Sequence, residues 1–309
     1  MTVLEDFTGW PRGPLSIAIG VFDGVHIGHH ALIRQTAGGA KQRGGRALAA
    51  TFDPLPIQAL APGAPPSALS DVDERVRLLR DAGADDVVVF RFTKEFAALS
   101  ADEFVGRLAG AGEVRQIFVG ADFQFGHDRD GNVRTLAASG SRSGFEVVVA
   151  APVKLEGEVV SSTRIRNALL AGDVALAARL LGRPYSVRGT VVHGAKRGRA
   201  LGFPTINLAI PPERLLPRDG IYAMSVRAHD EQVTAAASLG VRPTFGGGDR
   251  TLEAYLLDWE GDVYGDRIEA ALVKRLRDEL RFASPEELSA QIARDVEATR
   301  AALRAQPRS

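Results

Sequence analysis

The sequence predicts an α/β domain followed by an all-β domain: a parallel sheet covered by helices, then a small antiparallel β-barrel with a terminal helix. Three observations carry this prediction. The first half alternates short apolar runs with segments of helical period, the signature of strand–helix–strand units and a parallel sheet. The second half strings short β-like runs between Gly and Pro turns, the signature of a small barrel. The change of character falls at Gly182–Arg183, so the predicted domains are 1–182 and 183–309, within a length of 309 residues that suits two domains.

In the first half, residues 15–22, 46–52, 86–92, 116–120 and 145–151 are apolar runs that predict buried strands. "DVDERVRLLRDAG" sets Val72, Val76 and Leu79 at helical spacing, with Asp71 as cap and Gly83 as stop. Residues 161–182 predict helical pieces broken at Gly172, and "APGAPPSA" at 61–68 predicts a loop. In the second half, residues 190–192, 222–227, 233–239, 252–258 and 268–276 predict strands. The chain then predicts a last helix with Ser284 as N-cap, Pro285 in its first turn, Glu287 completing a capping box, and an apolar stripe of Leu288, Ile292 and Val296.

Composition narrows the function. Hydrophobic residues make up 45%, enough for a sizeable core. Lys and Arg number 38 and Asp and Glu 38, so binding of nucleic acid through bulk basicity is not expected. The absence of cysteine removes disulfides, thiolate nucleophiles and cysteine-based zinc sites, and it fits a reducing, cytoplasmic compartment. No signal peptide and no membrane span of roughly 20 apolar residues is expected. A neutral surface leaves weak homo-oligomer formation open.

"GVFDGVHIGHH", residues 20–30, holds three of the six histidines. It follows the first predicted strand and leads into a helix. Ligands of open α/β sheets bind beyond the carboxyl ends of the strands, and a helix N-terminus there attracts anions. Gly20, Gly24 and Gly28 let backbone approach a phosphate, and His26 and His29 supply donors, whose protonation an anion would favour. Three readings stand at this point: an anion site, a metal site lacking the HExxH pattern, and a polar loop. "SSTRIR" at 161–166 starts a helix and offers a second anion cradle, alternatively a simple cap with surface arginines. Neither GxxxxGK[ST] nor GxGxxG occurs, so a nucleotide here is held in another way.

"FDGVHIGH" followed by "SSTRIR" resembles the nucleotidylyltransferase superfamily, with its H-x-G-H core. "TFDP", "FAALSADEFV", "VGADFQFG", "LLGRPYSVRGTVVHG" and "GRALGFPTINL" extend the resemblance to the prokaryotic bifunctional riboflavin kinase/FAD synthetase family, over nearly the whole chain. The resemblance implies a Rossmann-like nucleotidylyltransferase domain that adenylylates FMN to FAD, and a barrel domain that phosphorylates riboflavin to FMN. The implied substrates are riboflavin, FMN and ATP, with Mg²⁺ as cofactor.

By the same resemblance, His26 and His29 hold the α-phosphate of ATP, and Gly20, Phe22, Asp23, Gly24 and Gly28 of that turn bind the ATP phosphates with them. Ser162, Thr163 and Arg166 contact the departing phosphates. Asp122, Phe123 and Phe125 lie on the flavin side, although either aromatic also reads as core. In the second domain, Gly194, Lys196, Gly198 and Gly202 form a glycine-rich flap over ATP, and Thr205 and Asn207 offer oxygen ligands to Mg²⁺. Glu253 is the base that accepts the hydroxyl proton, and Arg242 shapes the nucleotide or flavin rim, or simply a turn. Strand alternation puts Glu253, Tyr255 and Leu257 on one face.

Two departures from the family pattern bear on activity. Leu55 stands where the family has histidine, which implies altered or weakened adenylylation, and "SLG" at 238–240 stands where N-I-G is expected. Adenylyl transfer is expected to respond to histidine protonation near pH 6 to 7, around a reference pKa of about 6.5. Other readings are a chain with one activity weakened, a nucleotidylyltransferase of another substrate, and a flavin-binding regulator. "GFPTIN" argues against the second, and the presence of His26, His29, Thr205, Asn207 and Glu253 against the third.

Overall fold

The computed structural model describes residues 3–61, 65, 67–193, 202–241 and 250–305. The chain forms two compact units, Met1–Ser162 and Thr163–Ser309.

The first unit is built on a six-stranded, wholly parallel sheet in the order β1-β4-β3-β2-β5-β8. Its strands are β1 (Val3–Glu5), β2 (Pro14–Ile19), β3 (Arg46–Asp53), β4 (Asp86–Arg91), β5 (Glu113–Gly120) and β8 (Glu146–Ala150). The short strands β6 (Gln124–Phe125) and β7 (Gly131–Asn132) pair with each other, as do β9 (Lys154–Leu155) and β10 (Glu158–Val159). Five of the sheet strands are those the apolar runs predict; β1 is too short to give a pattern.

Helices α1 (Ile27–Gln42), α2 (Pro56–Leu60), α3 (Val72–Asp81), α4 (Lys94–Ala97), α5 (Ala101–Ala111) and α6 (Val133–Ser143) connect them. Both faces of the sheet are buried, which is why its strands read as continuous apolar runs. Ala18, Ala49 and Val87 pack with Leu32 and Ile33 of α1 and Leu79 of α3. Leu15, Ile17, Ile19 and Leu48 pack on the other face with Phe104, Leu108 and Leu136 of α5 and α6. Asp71 caps α3 by accepting from the Glu74 amide at 2.7 Å, as its sequence predicts. Of the predicted 61–68 loop, residues 62–64 and 66 lie outside the described residues.

Chain order steps outward from β2 through β3 and β4, then returns to β5 on the other side of β2. This reversal is the switch point of the sheet, and its crevice opens beyond Ile19 and Gly120.

The second unit begins with α7 (Ser162–Ala171, whose first residue closes the first unit) and α8 (Val174–Leu181), broken at Gly172 with φ of 85°. The barrel begins at Tyr185, close to the change of composition at Gly182, whereas the compact units divide earlier, because α8 packs on β11 and β16 of the barrel. The closed antiparallel barrel runs β11-β12-β15-β14-β13-β16. Its strands are β11 (Tyr185–Val192), β12 (Thr205–Ala209), β13 (Gly220–Ala228), β14 (Glu231–Val241), β15 (Arg250–Leu256) and β16 (Arg267–Arg277). Small residues such as Ala235, Ala237, Ala254 and Ala270 alternate inward with Leu239, Leu252 and Leu272 and fill it. The interior face of β15 is Leu252, Ala254 and Leu256, and the strand ends there. Leu257, expected on the outer face with Glu253, instead lies past the strand end, and it is buried with its amide on the Thr234 carbonyl.

The last helix, α9 (Pro285–Arg304), packs on β13, β14 and β16. Ser284 caps it, but Glu287 reaches the Ala283 amide at 3.0 Å rather than that of Ser284, so the capping box is closed one residue earlier than expected. A two-pronged ion pair, Arg277 Nε and Nη2 on Asp295 at 2.9 and 2.6 Å, ties α9 to β16 in a largely buried setting. Asp295→Ala strands that guanidinium and is expected to lower stability by about 2–3 kcal/mol, below the cost of breaking a fully buried pair, read as a lower denaturant midpoint at unchanged slope.

Candidate functional site

The turn between β2 and α1 occupies the switch point. Phe22, Gly24 and Val25 have φ of 51°, 80° and 39°, so this turn holds two non-glycine residues in the left-handed region. It ends on His26, the N-cap of α1.

The two histidines form a reciprocal capping box. The His29 amide donates to His26 Nδ1 at 3.2 Å, and the His26 amide donates to His29 Nδ1 at 3.3 Å. Their rings stack 3.5 Å apart at 16°. An Nδ1 that accepts from an amide carries no proton, so each neutral ring carries its proton on Nε2. The sequence spacing H-x-x-H is therefore an N-cap-to-N3 spacing. Two Nε2–H donors face away from the backbone they cap, at a helix start with no acidic residue in its first turn.

Small residues admit the rings. A Cβ on Gly28 would stand 3.1 Å from the His26 ring, and one on Gly20 would stand 3.0 Å from the Phe22 ring. Phe22 is buried and meets His29 edge-on at 5.1 Å, so it supports the ring from the core side. His30 continues the helix, with its amide on the His26 carbonyl, half-buried rather than facing solvent.

The pKa of His29 lies well below the ordinary 6.5, first because burial penalises its charged form, then because His26 and His30 repel it. This corrects the expectation of a response near pH 6 to 7. Between the lowered value and 6.5 the unfolded chain binds the proton and the folded one does not. Stability therefore falls as pH drops through that window, and the His29 ring acts as a neutral donor above it. The rate of adenylyl transfer to added FMN is expected to stay level from pH 8 through about 6.5 and to fall only below it, as a rate-against-pH profile will report.

Beyond β5, Asp122 is exposed, with its carboxylate over Gly120, 3.0 Å from where a Cβ would stand. Phe123 is half-buried and stacks on buried Phe125 at 5.4 Å. Phe125 packs on Phe104 and belongs to the core, and Phe123 packs against that core from its edge. Leu55 is buried just past β3. Thr163 and Arg166 lie in the first turns of α7. Sequence reading missed Ser70, Thr51 and Arg75, which brace the turn from beneath; only a fold could have brought them there.

The second constellation lies on the outer face of the barrel. Glu253 on β15 stands opposite Asn207 of β12 and Ser238 of β14. Thr205, two residues before Asn207, stands opposite Tyr255, against which Phe203 packs edge-on at 5.5 Å. Thr205, Asn207 and Glu253 thus share one face, with oxygen donors on adjacent strands, a set that suits a hard cation such as Mg²⁺. Gly202 has φ of 83°, which favours glycine there. Gly194, Lys196, Gly198 and Arg242 lie outside the described residues. Among the described residues no group of three or more His, Asp or Glu is gathered to hold a metal, and no helix is long and apolar enough to cross a membrane.

The FAD synthetase family model matches residues 11–164 and the riboflavin kinase model matches residues 181–303. The bifunctional riboflavin kinase/FMN adenylyltransferase of Escherichia coli (strain K12) is 38% identical over 287 residues, covering 92% of this chain and 91% of that protein. Its counterpart in Pseudomonas fluorescens is 41% identical over 285 residues, with coverage of 92% and 91%. A solved structure from Streptococcus pneumoniae, described as a macrolide-efflux protein, matches with a TM-score of 0.87 and 34% identity over 95% of each chain. With both models matched in order, and such relatives aligned along nearly its whole length, this chain belongs to the bifunctional riboflavin kinase/FMN adenylyltransferase family.

Proposed function

We propose that residues 1–182 transfer AMP from ATP to FMN and residues 183–309 phosphorylate riboflavin. The chain is a transferase with both activities. The observation that carries this is the pairing of two separate constellations, the stacked histidines and the Asn207–Glu253 row, with two family models in the same order.

In adenylyl transfer, a phosphate oxygen of FMN attacks the α-phosphorus of ATP in line, and the bond to the β-phosphate oxygen breaks to release pyrophosphate. No covalent intermediate with the protein is needed, so positioning and charge stabilisation do the catalysis. The Nε2–H groups of His26 and His29 donate to α-phosphate oxygens. The family resemblance assigns the departing phosphates to Thr163 and Arg166. Phe123 and Asp122 flank the flavin, with Phe125 behind them. Leu55, apolar and buried where the family resemblance expects a histidine, favours a slower adenylylation step than kinase step.

In the kinase reaction, Glu253 accepts the proton of the riboflavin 5′-hydroxyl as its oxygen bonds to the γ-phosphorus and ADP leaves. Thr205 and Asn207 would hold Mg²⁺, which when bound neutralises phosphate charge. By the family resemblance, Gly194, Lys196, Gly198 and Gly202 bind ATP and Arg242 binds the flavin or nucleotide. The setting is cytoplasmic and the partners are small molecules, with weak self-association compatible with a neutral surface. Purified protein supplied with riboflavin, ATP and Mg²⁺ should yield FMN and FAD on chromatography; FMN alone would refute the adenylylation half.

A further inference from the structure

Two residues that the resemblance places among the phosphate ligands are held otherwise. Asp23 is buried, with 1% of its surface exposed. Its Oδ1 accepts from the Leu69 amide at 2.9 Å, the Ser70 amide at 3.1 Å and Ser70 Oγ at 3.3 Å, and its Oδ2 from the Leu69 amide at 3.1 Å. A carboxylate would repel a phosphate; here it faces two consecutive amides from the start of the α3 region. Ser70 Oγ in turn accepts from the Gly24 amide at 3.0 Å. The Ser162 hydroxyl donates to the Asp23 carbonyl at 2.9 Å. That hydroxyl has one proton, and this bond uses it, so only lone pairs remain to present to a phosphate.

The same turn is held from a second side. Arg75, buried under β3, donates to Thr51 Oγ1 at 3.2 Å, and Thr51 Oγ1 donates to the Val21 carbonyl at 2.9 Å. Backbone in the left-handed region persists only where its surroundings over-determine it. Between Val21 and Val25 the carbonyls of Val21, Phe22 and Asp23 and the amides of Gly24 and Val25 are all bonded. The next residue is His26.

We propose that Asp23, Ser70 and Ser162 are positioning residues for adenylyl transfer rather than phosphate ligands: they hold the strained turn that aims the His26–His29 pair, Ser162 through its hydroxyl on the Asp23 carbonyl. This rests on the adenylyltransferase reading of the site. A displacement of about 1 Å at a reacting group can cost on the order of 100-fold in rate. Loss of one brace should therefore act on turnover more than on ATP affinity.

The test uses the full-length protein and the variants Ser162→Ala, Ser162→Thr and Ser70→Ala. Two readouts are taken: the ring ¹⁵N signals of His26 and His29 without nucleotide, and kcat and KM for ATP with added FMN. A denaturant midpoint and slope close to the parent's report that each variant is folded. Ser162→Ala and Ser70→Ala should each shift the histidine signals in nucleotide-free protein and lower kcat about tenfold or more, with KM for ATP changed less. Ser162→Thr, which keeps the hydroxyl, should restore both. Nucleotide-free histidine signals identical to the parent, with a raised KM for ATP in Ser162→Ala, would make Ser162 a phosphate ligand and overturn the proposal. A parent protein that makes no FAD refutes the adenylyltransferase reading itself; the nucleotide-free signals still decide whether the brace exists.

Discussion

Glu253→Ala is expected to abolish FMN formation from riboflavin while added FMN is still converted to FAD. The carboxylate projects from the outer face of β15, opposite Asn207 and Ser238, whereas its neighbours Leu252 and Ala254 fill the barrel. Truncation there leaves the interior packing as it was, so the effect is chemical. A positioned general base contributes about 10²- to 10⁴-fold, and phosphorylation should fall by that factor. Glu253→Gln, which keeps shape and loses basicity, should fall nearly as far. Separate assays of the two steps on one preparation check this. An alanine variant with near-parental kinase rate would remove Glu253 from the role of base.

His29→Ala should do the reverse. It removes the Nε2–H donor proposed for the α-phosphate, the Nδ1 that caps the His26 amide and the ring stacked on His26. Loss of a donor aimed at a developing charge costs about 10²- to 10³-fold in turnover, and the freed His26 ring adds to this. Conversion of added FMN to FAD should fall by at least that factor, with riboflavin phosphorylation unchanged. A His29→Ala protein that phosphorylates riboflavin normally and adenylylates FMN at the parental rate would show that the stacked pair is not at the α-phosphate.

How far the sequence discloses the fold depends on what each element needs from its neighbours. β2 to β5 and β8 are legible because strands covered on both faces must be apolar throughout. Asp71, Ser284 and Gly172 are legible because caps and helix breaks are local chemistry. β12 is not: "TINLA" is short, and it becomes a strand because β11 and β15 flank it. The division at Ser162 is equally non-local, set by α8 packing on the barrel strands.

In the site, the histidine spacing is legible, but its meaning changes once α1 is seen to start at Ile27. H-x-x-H becomes a mutual cap that fixes the tautomer of the neutral rings, and Gly28 makes room for the His26 ring. Burial, which lowers the pKa of His29, is a property of the fold and leaves no mark in a turn of polar residues. Asp23 looks in sequence like one more polar residue beside a phosphate. Its buried bonds to Leu69 and Ser70 cross 46 and 47 positions of chain, beyond any local pattern.

On the proposed function one chain carries two sites, the FMN made at one serving as substrate at the other. This is tested most directly by mixing the two variants. With riboflavin, ATP and Mg²⁺, Glu253→Ala alone should give neither FMN nor FAD, and His29→Ala alone should accumulate FMN. An equimolar mixture should give FAD, because FMN released by one variant is adenylylated by the other. A mixture that accumulates FMN and no FAD, when Glu253→Ala alone converts added FMN, would contradict the account.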